Sequence, residues 1–522
     1  MSHLRHNLDS LAHSLKQLGI EHVVISPGSR NAPIIAGFLR IGGFNLLSAP
    51  DERAATFMAL GAAQATGKPA IVLCTSGTAV LNLYPGICEA YYQRVPLIAI
   101  SADRPGNLID QWDGQTIRQK DIFEKHILRS FHLTADVHAK ETESTLAKMA
   151  AEAWQASMGR PKGPVHINIP LAEPIYEGLD AEKSANFINP PKYEIEKYPA
   201  QRIPGEVLNS RKTLWVVGQH PPSESVNAAL KTISQHAPVL ADVLSNVQGG
   251  EIINGIEKIH LTDENQTPDV LITLGLSMVS KSLKQHLRNL PIQHHIHLGD
   301  GGFTGDPFFS KPQTLETDVA GFMHQWLKDC AQNQDSAFLS AWQHAFENHI
   351  QGDTEAELVQ DIIRQIPRNA CLQLGNSMVV RHANRCNHLP DFLFGNRGSS
   401  GIDGSVSTAV GYAWANPQQR VYCITGDIGF LYDKNAWWCS PVPDNLLVII
   451  INNGGGMIFD RLHGPEKMPE LRPFVHTPHD FTTKSIAEHY HIPYRGLKAP
   501  ELGIELRNII SATRGIIEIF TS

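Results

Sequence analysis

The feature that most constrains the fold is a repeated alternation of short apolar strands with helix-length amphipathic segments. The strands end in Gly, Ser or Asp, and in the first part of the chain they cover 22–26, 70–75, 97–101 and 165–169. Such alternation is typical of parallel sheets built from βαβ units. Because it recurs in three stretches of the 522-residue chain, the sequence predicts an α/β protein with three doubly wound, mainly parallel-sheet domains.

The predicted domains cover 1–180, 195–350 and 355–522, each within the usual range of about 50–250 residues. A polar stretch rich in Pro, Lys and Glu at 174–210 is interpreted as a linker. In the first domain we expect helices at 52–66 and 79–92, and we expect 316–350 to be helical and to lead into the third domain.

The composition excludes several classes of function. There are 44 Lys and Arg against 52 Asp and Glu, a net charge of −8, without a basic run that would indicate nucleic acid or a membrane surface. We find neither an apolar signal core at the start nor a run of about 18 apolar residues that would predict a membrane span. The seven cysteines are scattered and never spaced as CxxC. This indicates reduced thiols and predicts a cytoplasmic protein.

The third domain contains the most specific pattern. One buried strand, 421–425, ends at Gly426-Asp427, and a second, 446–451, ends at Asn452-Asn453 followed by three glycines. Parallel strands deliver their carboxyl ends to one edge of the sheet, where ligands bind in open α/β folds. Carboxylate, amide and carbonyl oxygens suit a small cation that keeps a diphosphate partner. The alternative is two βα turns that end in Asp and Asn without a ligand.

The first domain contributes a candidate anion site. The strand at 22–26 leads through a tight turn to Ser29 and Arg30, and amide groups at the start of the following helix favour anions. Arg30 adds a planar fork for a carboxylate. The alternative is a glycine turn with a surface arginine. Glu52 opens a helix rich in small residues, which predicts close packing against another backbone; the alternative for Glu52 is a capping or dipole role.

Other polar groups follow neighbouring strands of the same domain. They are Thr75, Ser76 and Gly77 in one turn, Arg104 after the next strand, and Gln115 in a polar loop. Basic and amide groups that converge on one sheet edge indicate a polyanionic substrate. For Arg104 alone, a salt bridge to Asp103 or a neighbour is the alternative.

Together these motifs resemble thiamine-diphosphate enzymes and, more narrowly, the 2-succinyl-5-enolpyruvyl-6-hydroxy-3-cyclohexene-1-carboxylate synthases of menaquinone biosynthesis. Nearly all of the resemblance lies in the first and third domains. The matching motifs are 26–30, 51–53, 75–80, 82–85, 102–105, 117–119, 375–381, 396–398, 401–404, 426–427 and 452–459.

The resemblance implies domains of the thiamine-diphosphate-enzyme type and a site shared between the first domain of one subunit and the third domain of its partner. A homodimer is then the minimum, and a homotetramer is the expected assembly. The cofactor-binding residues that the resemblance implies are Glu52, Thr75, Ser76, Gly77, Ile402, Gly426, Asp427, Ile428, Asn453, Gly455, Met457 and Ile458. Mg²⁺, with Mn²⁺ as the other candidate, would be held by Asp427, Asn453 and the Gly455 carbonyl. Glu52 would contact the aminopyrimidine nitrogen of thiamine diphosphate.

The implied activity is a decarboxylating transferase reaction that forms a C–C bond: 2-oxoglutarate loses CO2, and the remaining succinyl carbanion equivalent adds to isochorismate. Ser377, Arg381 and Arg397 would receive the part derived from 2-oxoglutarate. The other implied substrate-binding residues are Ser29, Arg30, Arg104, Gln115, Lys281 and Phe459, and the implied catalytic residues are Glu52, Gln115 and Arg30.

Two positions depart from the wider family pattern, and two alternative functions remain. Ile428 stands where many thiamine enzymes have glycine, and Gly454 stands where a polar residue is frequent. One alternative is an acetolactate-synthase-like enzyme for another 2-oxo acid, which the arginines disfavour because pyruvate has no second carboxylate. The other is a regulatory nucleotide-binding homologue; Val216-Val217-Gly218 favours it only weakly, because a GxGxxG turn is lacking there.

Overall fold

A computed structural model describes most of the chain. The described residues are 3–173, 175–176, 186–195, 198, 202–258, 266–299, 301–345, 354–461, 468–499, 509–510 and 514–521. The chain divides into two compact units. One comprises 1–196, 398–419 and 432–446, and the other comprises 197–397, 420–431 and 447–522. The predicted boundaries of the three domains stay predictions.

The first sheet has six parallel strands flanked by helices. Its strands are β1 (His22–Ile25), β2 (Asn45–Ser48), β3 (Ala70–Cys74), β4 (Leu97–Asp103), β5 (Arg129–His132) and β6 (Pro164–Pro170), in the spatial order β2-β1-β3-β4-β6-β5. Its helices are α1 (His3–Gln17), α2 (Ala32–Ile41), α3 (Glu52–Thr66), α4 (Thr78–Asn82), α5 (Tyr84–Gln93) and α6 (Thr142–Met158). Apolar residues on both faces of the sheet are buried, as parallel sheets require.

The second sheet has five parallel strands. They are β7 (Thr213–Val217), β8 (Val239–Ala241), β9 (Val270–Leu274), β10 (His294–Gly299) and β11 (Gln313–Glu316), in the order β11-β10-β9-β7-β8. The accompanying helices are α7 (Gly205–Leu208), α8 (Glu224–Ile233), α9 (Lys281–Asn289), α10 (Val319–Asp329) and α11 (Ser336–His344).

The third sheet has six strands, β12 (Cys371–Leu374), β13 (Phe392–Gly395), β14 (Val421–Gly426), β15 (Leu446–Asn452), β16 (Tyr494–Lys498) and β17 (Gly515–Phe520). Their order is β13-β12-β14-β15-β17-β16, and the β12–β13, β12–β14, β15–β17 and β16–β17 pairs are parallel. The helices are α12 (Thr354–Gln365), α13 (Met378–Ala383), α14 (Ser405–Ala415), α15 (Asp427–Tyr432), α16 (Arg472–Val475) and α17 (Lys484–His489). Three sheets of this kind confirm the predicted fold class.

Two predicted helices are divided in the structure. The segment 79–92 forms α4 and α5, because Pro85 lacks the amide hydrogen that a continuous helix needs and is tolerated only in a first turn. The segment 316–350 begins at the end of β11 and then forms α10 and α11; Asp335 caps the second helix by accepting the Ala337 N–H at 2.9 Å. Residues 346–350 lie outside the described residues.

Helices α3 and α14 pack closely because each presents a glycine to the backbone of the other. A Cβ on Gly61 would overlap the Thr408 carbonyl, and a Cβ on Gly411 would overlap the Met58 carbonyl. The prediction that the small residues after Glu52 allow close packing is confirmed. Within the described residues, no helix is both long enough and apolar enough to cross a membrane.

Candidate active site

The turn after β15 encloses the carboxylate that follows β14. Asp427 is buried, and its Oδ2 accepts hydrogen bonds from the backbone N–H groups of Asn453, Gly454 and Gly455 at 3.2, 2.9 and 3.1 Å. Its Oδ1 accepts the Ile428 N–H at 2.7 Å. Burial raises the pKa of Asp427, while these amides and the nearby His479 oppose the increase. The predicted pairing of the two strand ends is therefore present.

The glycines of this turn are required by its backbone. Gly454 has φ +77° and Gly455 has φ +153°, which side-chain-bearing residues rarely adopt, and a Cβ on Gly455 would lie 2.6 Å from the His476 ring. A polar residue at position 454 would be strained in this conformation. The Gly455 carbonyl accepts one hydrogen bond, from Met457 N at 3.0 Å, and keeps a second lone pair.

The two adjacent asparagines differ in whether the side-chain oxygen accepts a hydrogen bond. Asn452 Nδ2 donates to Glu518 at 2.7 Å, and its Oδ1 accepts the Gly454 N–H at 3.1 Å. Asn453 Nδ2 donates to Glu355 at 3.0 Å, but its buried Oδ1 accepts no hydrogen bond from the described residues. A buried oxygen without a donor fits a cation ligand, and Asn453 was the predicted one.

The donor set determines which cation fits. Asp427, Asn453 and the Gly455 carbonyl offer only oxygen, which suits Mg²⁺ or Mn²⁺. Among the described residues, no three His, Cys, Asp or Glu side chains form a metal-binding cluster. A cation held here therefore needs further oxygens from a ligand such as a diphosphate.

A second set of polar residues follows β12 and β13. Ser377 has φ +71°, an unfavourable backbone for serine, and its carbonyl accepts a hydrogen bond from Arg381. Arg397 Nη1 donates to Asn376 Oδ1 at 3.2 Å. The structure thus places Ser377, Arg381 and Arg397 at the same end of two adjacent strands, and the cationic groups fit a dicarboxylate.

The remaining predicted residues of this unit are exposed or partly buried. Lys281 is exposed at the first position of α9. Lys284, which sequence reasoning missed, is less exposed: burial lowers its pKa first, and Arg397 lowers it further. Met457, Ile458 and Phe459 begin a short 3₁₀ segment directly after the glycine turn and are partly buried.

In the first unit, Glu52 is the first residue of α3 and is not the N-cap of that helix. Asp51 is the N-cap of α3 and accepts the Arg53 and Ala54 N–H groups at 3.0 and 3.3 Å. Glu52 is partly buried, and burial raises its pKa. The N-cap is thus Asp51, whereas the position of Glu52 in the first turn still matches the dipole part of the alternative. A carboxyl group with a raised pKa at this position also suits proton sharing.

The two arginines of the first unit that were predicted to bind substrate, Arg30 and Arg104, already lie next to carboxylates. Arg30 is only 4% exposed, so it is not a surface arginine, and its Nη1 donates to the Leu171 carbonyl at 2.9 Å and pairs with Glu173 at 3.0 Å. Arg104 lies 3.7 Å from Asp113. The predicted alternative of a salt bridge to a neighbour is present for Arg104, at a distance that makes it weak.

The turn after β3 is held from behind by a residue that was not predicted as a site residue. Gln119 is fully buried, accepts the Gly77 N–H at 2.8 Å, and donates to Asn168 at 2.9 Å. Thr75 Oγ1 and Ser76 Oγ are buried and make no hydrogen bond with the described residues. Gln115 is exposed, with φ +53°, and its backbone lies where a Cβ on Gly77 would contact it at 3.1 Å.

Behind this turn lies a buried polar network between β4 and β6. Ser101 Oγ contacts His166 Nε2 and Asn168 Oδ1, both at 2.7 Å. Asn168 Nδ2 donates to Asp103 Oδ2 at 2.7 Å. Burial lowers the pKa of His166 to about 3, so the imidazole is neutral, and burial raises the pKa of Asp103.

Ile402 is 38% exposed and lies in a segment anchored to α5. The buried Glu89 accepts the N–H groups of Gly398 and Ser399 at 2.6 and 2.7 Å. Gly404 lies directly against the Phe57 ring of α3. These contacts fix both ends of the segment and leave the Ile402 side chain accessible to a ligand.

Comparison with known proteins decides the family. Residues 6–122 match the family described as "Thiamine pyrophosphate enzyme, N-terminal TPP binding domain". The chain is 37% identical over 506 residues to the 2-succinyl-5-enolpyruvyl-6-hydroxy-3-cyclohexene-1-carboxylate synthase of Cytophaga hutchinsonii, covering 92% of this chain and 89% of the relative. The synthase of the same name from Flavobacterium johnsoniae is 36% identical over 533 residues, with 96% and 94% covered, and that from Desulfotalea psychrophila is 34% identical over 526 residues, with 95% and 94% covered.

The chain belongs to this synthase family. The resemblance stated from the motifs is confirmed, as is the prediction of an enzyme of the thiamine-diphosphate group. The roles assigned to individual site residues stay predictions.

The backbone around Gly218 in the second sheet bears on the predicted alternative of a nucleotide-binding protein. The backbone of 276–277 pairs with Gln219 beyond the ends of β7 and β9: Gln219 N donates to the Ser277 carbonyl at 2.9 Å, and Leu276 N donates to the Gln219 carbonyl at 2.8 Å. A Cβ on Gly218 would lie 2.5 Å from the Leu276 carbonyl. Protein backbone therefore lies against this glycine, where a dinucleotide would need to approach.

Proposed function

We propose that this enzyme decarboxylates 2-oxoglutarate with thiamine diphosphate and adds the succinyl carbanion equivalent to isochorismate, giving 2-succinyl-5-enolpyruvyl-6-hydroxy-3-cyclohexene-1-carboxylate and CO2 in menaquinone biosynthesis. The observation that carries the proposal is the alignment of more than nine-tenths of the chain with synthases of that name. The arginines at two sheet edges support it, because both substrates carry two carboxylates.

Glu52 would hold a proton at the pyrimidine nitrogen of the cofactor. Burial raises the pKa of Glu52, so its carboxyl group keeps a proton to a higher pH than an exposed glutamate does, which favours proton exchange with the cofactor. When bound, thiamine diphosphate supplies the nucleophilic carbon and the electron sink for decarboxylation. Ser76 and Gly77 would line the same pocket, with Gln119 fixing the Gly77 backbone from behind.

Asp427, Asn453 and the Gly455 carbonyl would hold Mg²⁺, or Mn²⁺ in its place, against the diphosphate. Asp427 is oriented by four backbone amides. Because these amides fix the carboxylate before any ligand arrives, little reorganisation is needed on binding.

Arginine forks fix the orientation of carboxylates as well as neutralising them. We propose that Arg381 and Arg397, with Ser377, bind the part derived from 2-oxoglutarate. Arg30 and Arg104, with Ser29, Gln115 and Lys281, would bind isochorismate, and Phe459 would line the substrate pocket. Glu173 lies 3.0 Å from Arg30 and Asp113 lies 3.7 Å from Arg104, which supports the proposal that these two guanidinium groups bind carboxylates.

Two further proposals concern the assembly of the enzyme and its location in the cell. The resemblance implies that Glu52 of one subunit and Asp427 of another serve one cofactor, which needs a homodimer at least and is compatible with a homotetramer. The scattered cysteines support a cytoplasmic enzyme.

The proposal is tested by following CO2 release from 2-oxoglutarate and product formation with isochorismate, with and without thiamine diphosphate and Mg²⁺. We expect turnover only with all four components. Pyruvate serves as the matched control, because it lacks the distal carboxylate. Faster decarboxylation of pyruvate than of 2-oxoglutarate would favour the acetolactate-synthase-like alternative and contradict the proposal.

A further inference from the structure

The orientation of the Asn453 side chain is set by a residue far away in the chain. Asn453 Nδ2 donates to Glu355 Oε2 at 3.0 Å, although the two residues are 98 positions apart. A carboxylate accepts hydrogen bonds and donates none. The Asn453 amide must therefore turn its NH2 group toward Glu355 and its oxygen away, and that oxygen is the one without a donor.

Glu355 is itself held in place. It lies in the first turn of α12, and Ala356, Val359 and Ile362 of that helix are buried in the core of the third sheet. Its other oxygen, Oε1, lies 3.1 Å from His382 Nε2, and the His382 side chain is only 1% exposed. Since a carboxylate does not donate, the His382 Nε2 must carry the proton of this hydrogen bond.

We propose that Glu355 is a positioning residue that presents Asn453 Oδ1 to the cation, with His382 fixing Glu355. Without Glu355, the amide can rotate and turn its NH2 group toward the cation, which repels it. This inference rests on the proposed function, because it concerns the cation that the proposed cofactor requires.

Affinity for the cation, measured without turnover, tests the proposal. The Mg²⁺ concentration that half-saturates thiamine diphosphate binding is determined by calorimetry on the full-length wild type, Glu355→Ala, Glu355→Gln and Glu357→Ala. Glu357 is the matched control, since it is exposed in the same helical turn and carries the same charge. Loss of a group that orients a metal ligand costs about 10–100-fold in metal affinity, so we expect a rise of that size for Glu355→Ala and none for Glu357→Ala.

Glu355→Gln should give a smaller rise, because glutamine offers one acceptor but also an NH2 group that can bind Asn453 Oδ1. In an Asn453→Asp background, we expect the effect of Glu355→Gln on the Mg²⁺ requirement to have the opposite sign. A carboxylate has two equivalent oxygens and needs no orientation, while the charge of Glu355 repels it. In that background Glu355→Gln should lower the Mg²⁺ requirement, an effect that a merely structural role of Glu355 would not produce.

The outcomes separate this inference from the proposed function. If the wild type binds thiamine diphosphate without any dependence on Mg²⁺ or Mn²⁺, the proposed function is contradicted and the inference falls with it. If the wild type shows that dependence but Glu355→Ala matches it, only the inference is overturned. If circular dichroism shows that Glu355→Ala is unfolded, Glu355→Gln alone and in the Asn453→Asp background decides, and an equal effect in both backgrounds contradicts the inference.

Discussion

The first and third sheets both carry polar groups at their carboxyl ends, but they hold them by different means. In the third sheet, one short turn supplies three backbone amides to a single carboxylate, Asp427. In the first sheet, side chains from separate strands and from the segment after β4 hold one another, as in the contacts of Ser101 and Gln119 with Asn168. The third-sheet edge therefore depends on local backbone geometry, whereas the first-sheet edge depends on the folded sheet.

The two edges also differ in the chemistry they prepare. At the third-sheet edge, the Asn453 amide oxygen accepts no hydrogen bond from the part of the chain that the structure describes, which suits a fixed cation. The first-sheet edge carries Glu52, whose pKa is raised by burial, and Arg30, which is paired with a carboxylate that a substrate can replace. We propose that the third-sheet edge anchors the cofactor and that the first-sheet edge serves proton exchange and substrate exchange.

The largest effect is expected where proton exchange is removed. Glu52→Gln keeps the shape of the side chain but cannot take up or release a proton. Losing one acid/base group typically costs about 10²–10⁴ in rate, so turnover should fall by that factor while thiamine diphosphate affinity changes far less. Steady-state kinetics at saturating cofactor measures the first quantity and calorimetry the second. A variant with undiminished turnover would remove the role of Glu52.

A smaller loss, in binding, is expected where anchoring is removed. Asp427→Asn replaces one oxygen by an NH2 group, which would face either the Ile428 N–H or the three amides of the glycine turn. Because outer-shell changes alone cost about 10–100-fold in metal affinity, we expect Mg²⁺-dependent cofactor affinity to fall by at least the upper value. Unchanged affinity in calorimetry would show that the cation lies elsewhere.

The side-chain network of the first sheet should make stability depend on pH. The pKa of His166 is lowered from 6.5 to about 3. As pH falls below 6.5, the unfolded chain takes up a proton that the folded chain does not, so stability is lost between those values. Linkage gives about 2 kcal/mol of lost unfolding free energy from pH 6.5 to pH 5. In His166→Gln, urea denaturation should show this loss reduced by that amount, whereas His13→Gln, a change at a partly exposed histidine, should retain it.

The smallest effect concerns the carboxylate that now pairs with Arg30. Glu173 is largely exposed, and exposed ion pairs contribute about 0.2–1 kcal/mol. Glu173→Gln should therefore lower the KM for isochorismate by a factor of about 1.4–5 with kcat unchanged. A raised KM would mean that Glu173 assists substrate binding rather than competing with it.

The third-sheet and first-sheet edges also differ in how much of each site could be predicted from the sequence. Gly426-Asp427 and the turn from Asn453 to Gly455 each follow an apolar strand, and parallel strands bring their carboxyl ends to one sheet edge, so the two could be predicted as one site. Its supporting residue Glu355 could not, because no local pattern links positions 98 residues apart. In the first domain, Gln119 lay inside a recognised motif, but only the folded sheet shows that it is buried and contacts Gly77.

The fold shows the same limits. The predicted strands at the first-domain and third-domain motifs are present as β1, β3, β4, β6, β14 and β15. The short strands β2 and β5 were not predicted, and neither were β12 and β13, although motifs follow them. Pro85 signals the division between α4 and α5, but the apolar pattern of 79–92 predicted one continuous helix. The pKa of Glu52 is raised and that of His166 is lowered by burial, which a sequence does not give.

The central claim is that these two edges, from different subunits, serve one cofactor, and a heterodimer tests it most directly. Glu52→Gln and Asp427→Asn chains carrying different affinity tags are co-expressed, and the mixed dimer is isolated by successive purification on both tags. One of its two sites then combines an intact Glu52 with an intact Asp427, so we predict about half of the wild-type turnover per dimer, although each variant alone is nearly inactive. A mixed dimer no more active than the two variants would contradict the account, because every site would then take both residues from the same chain.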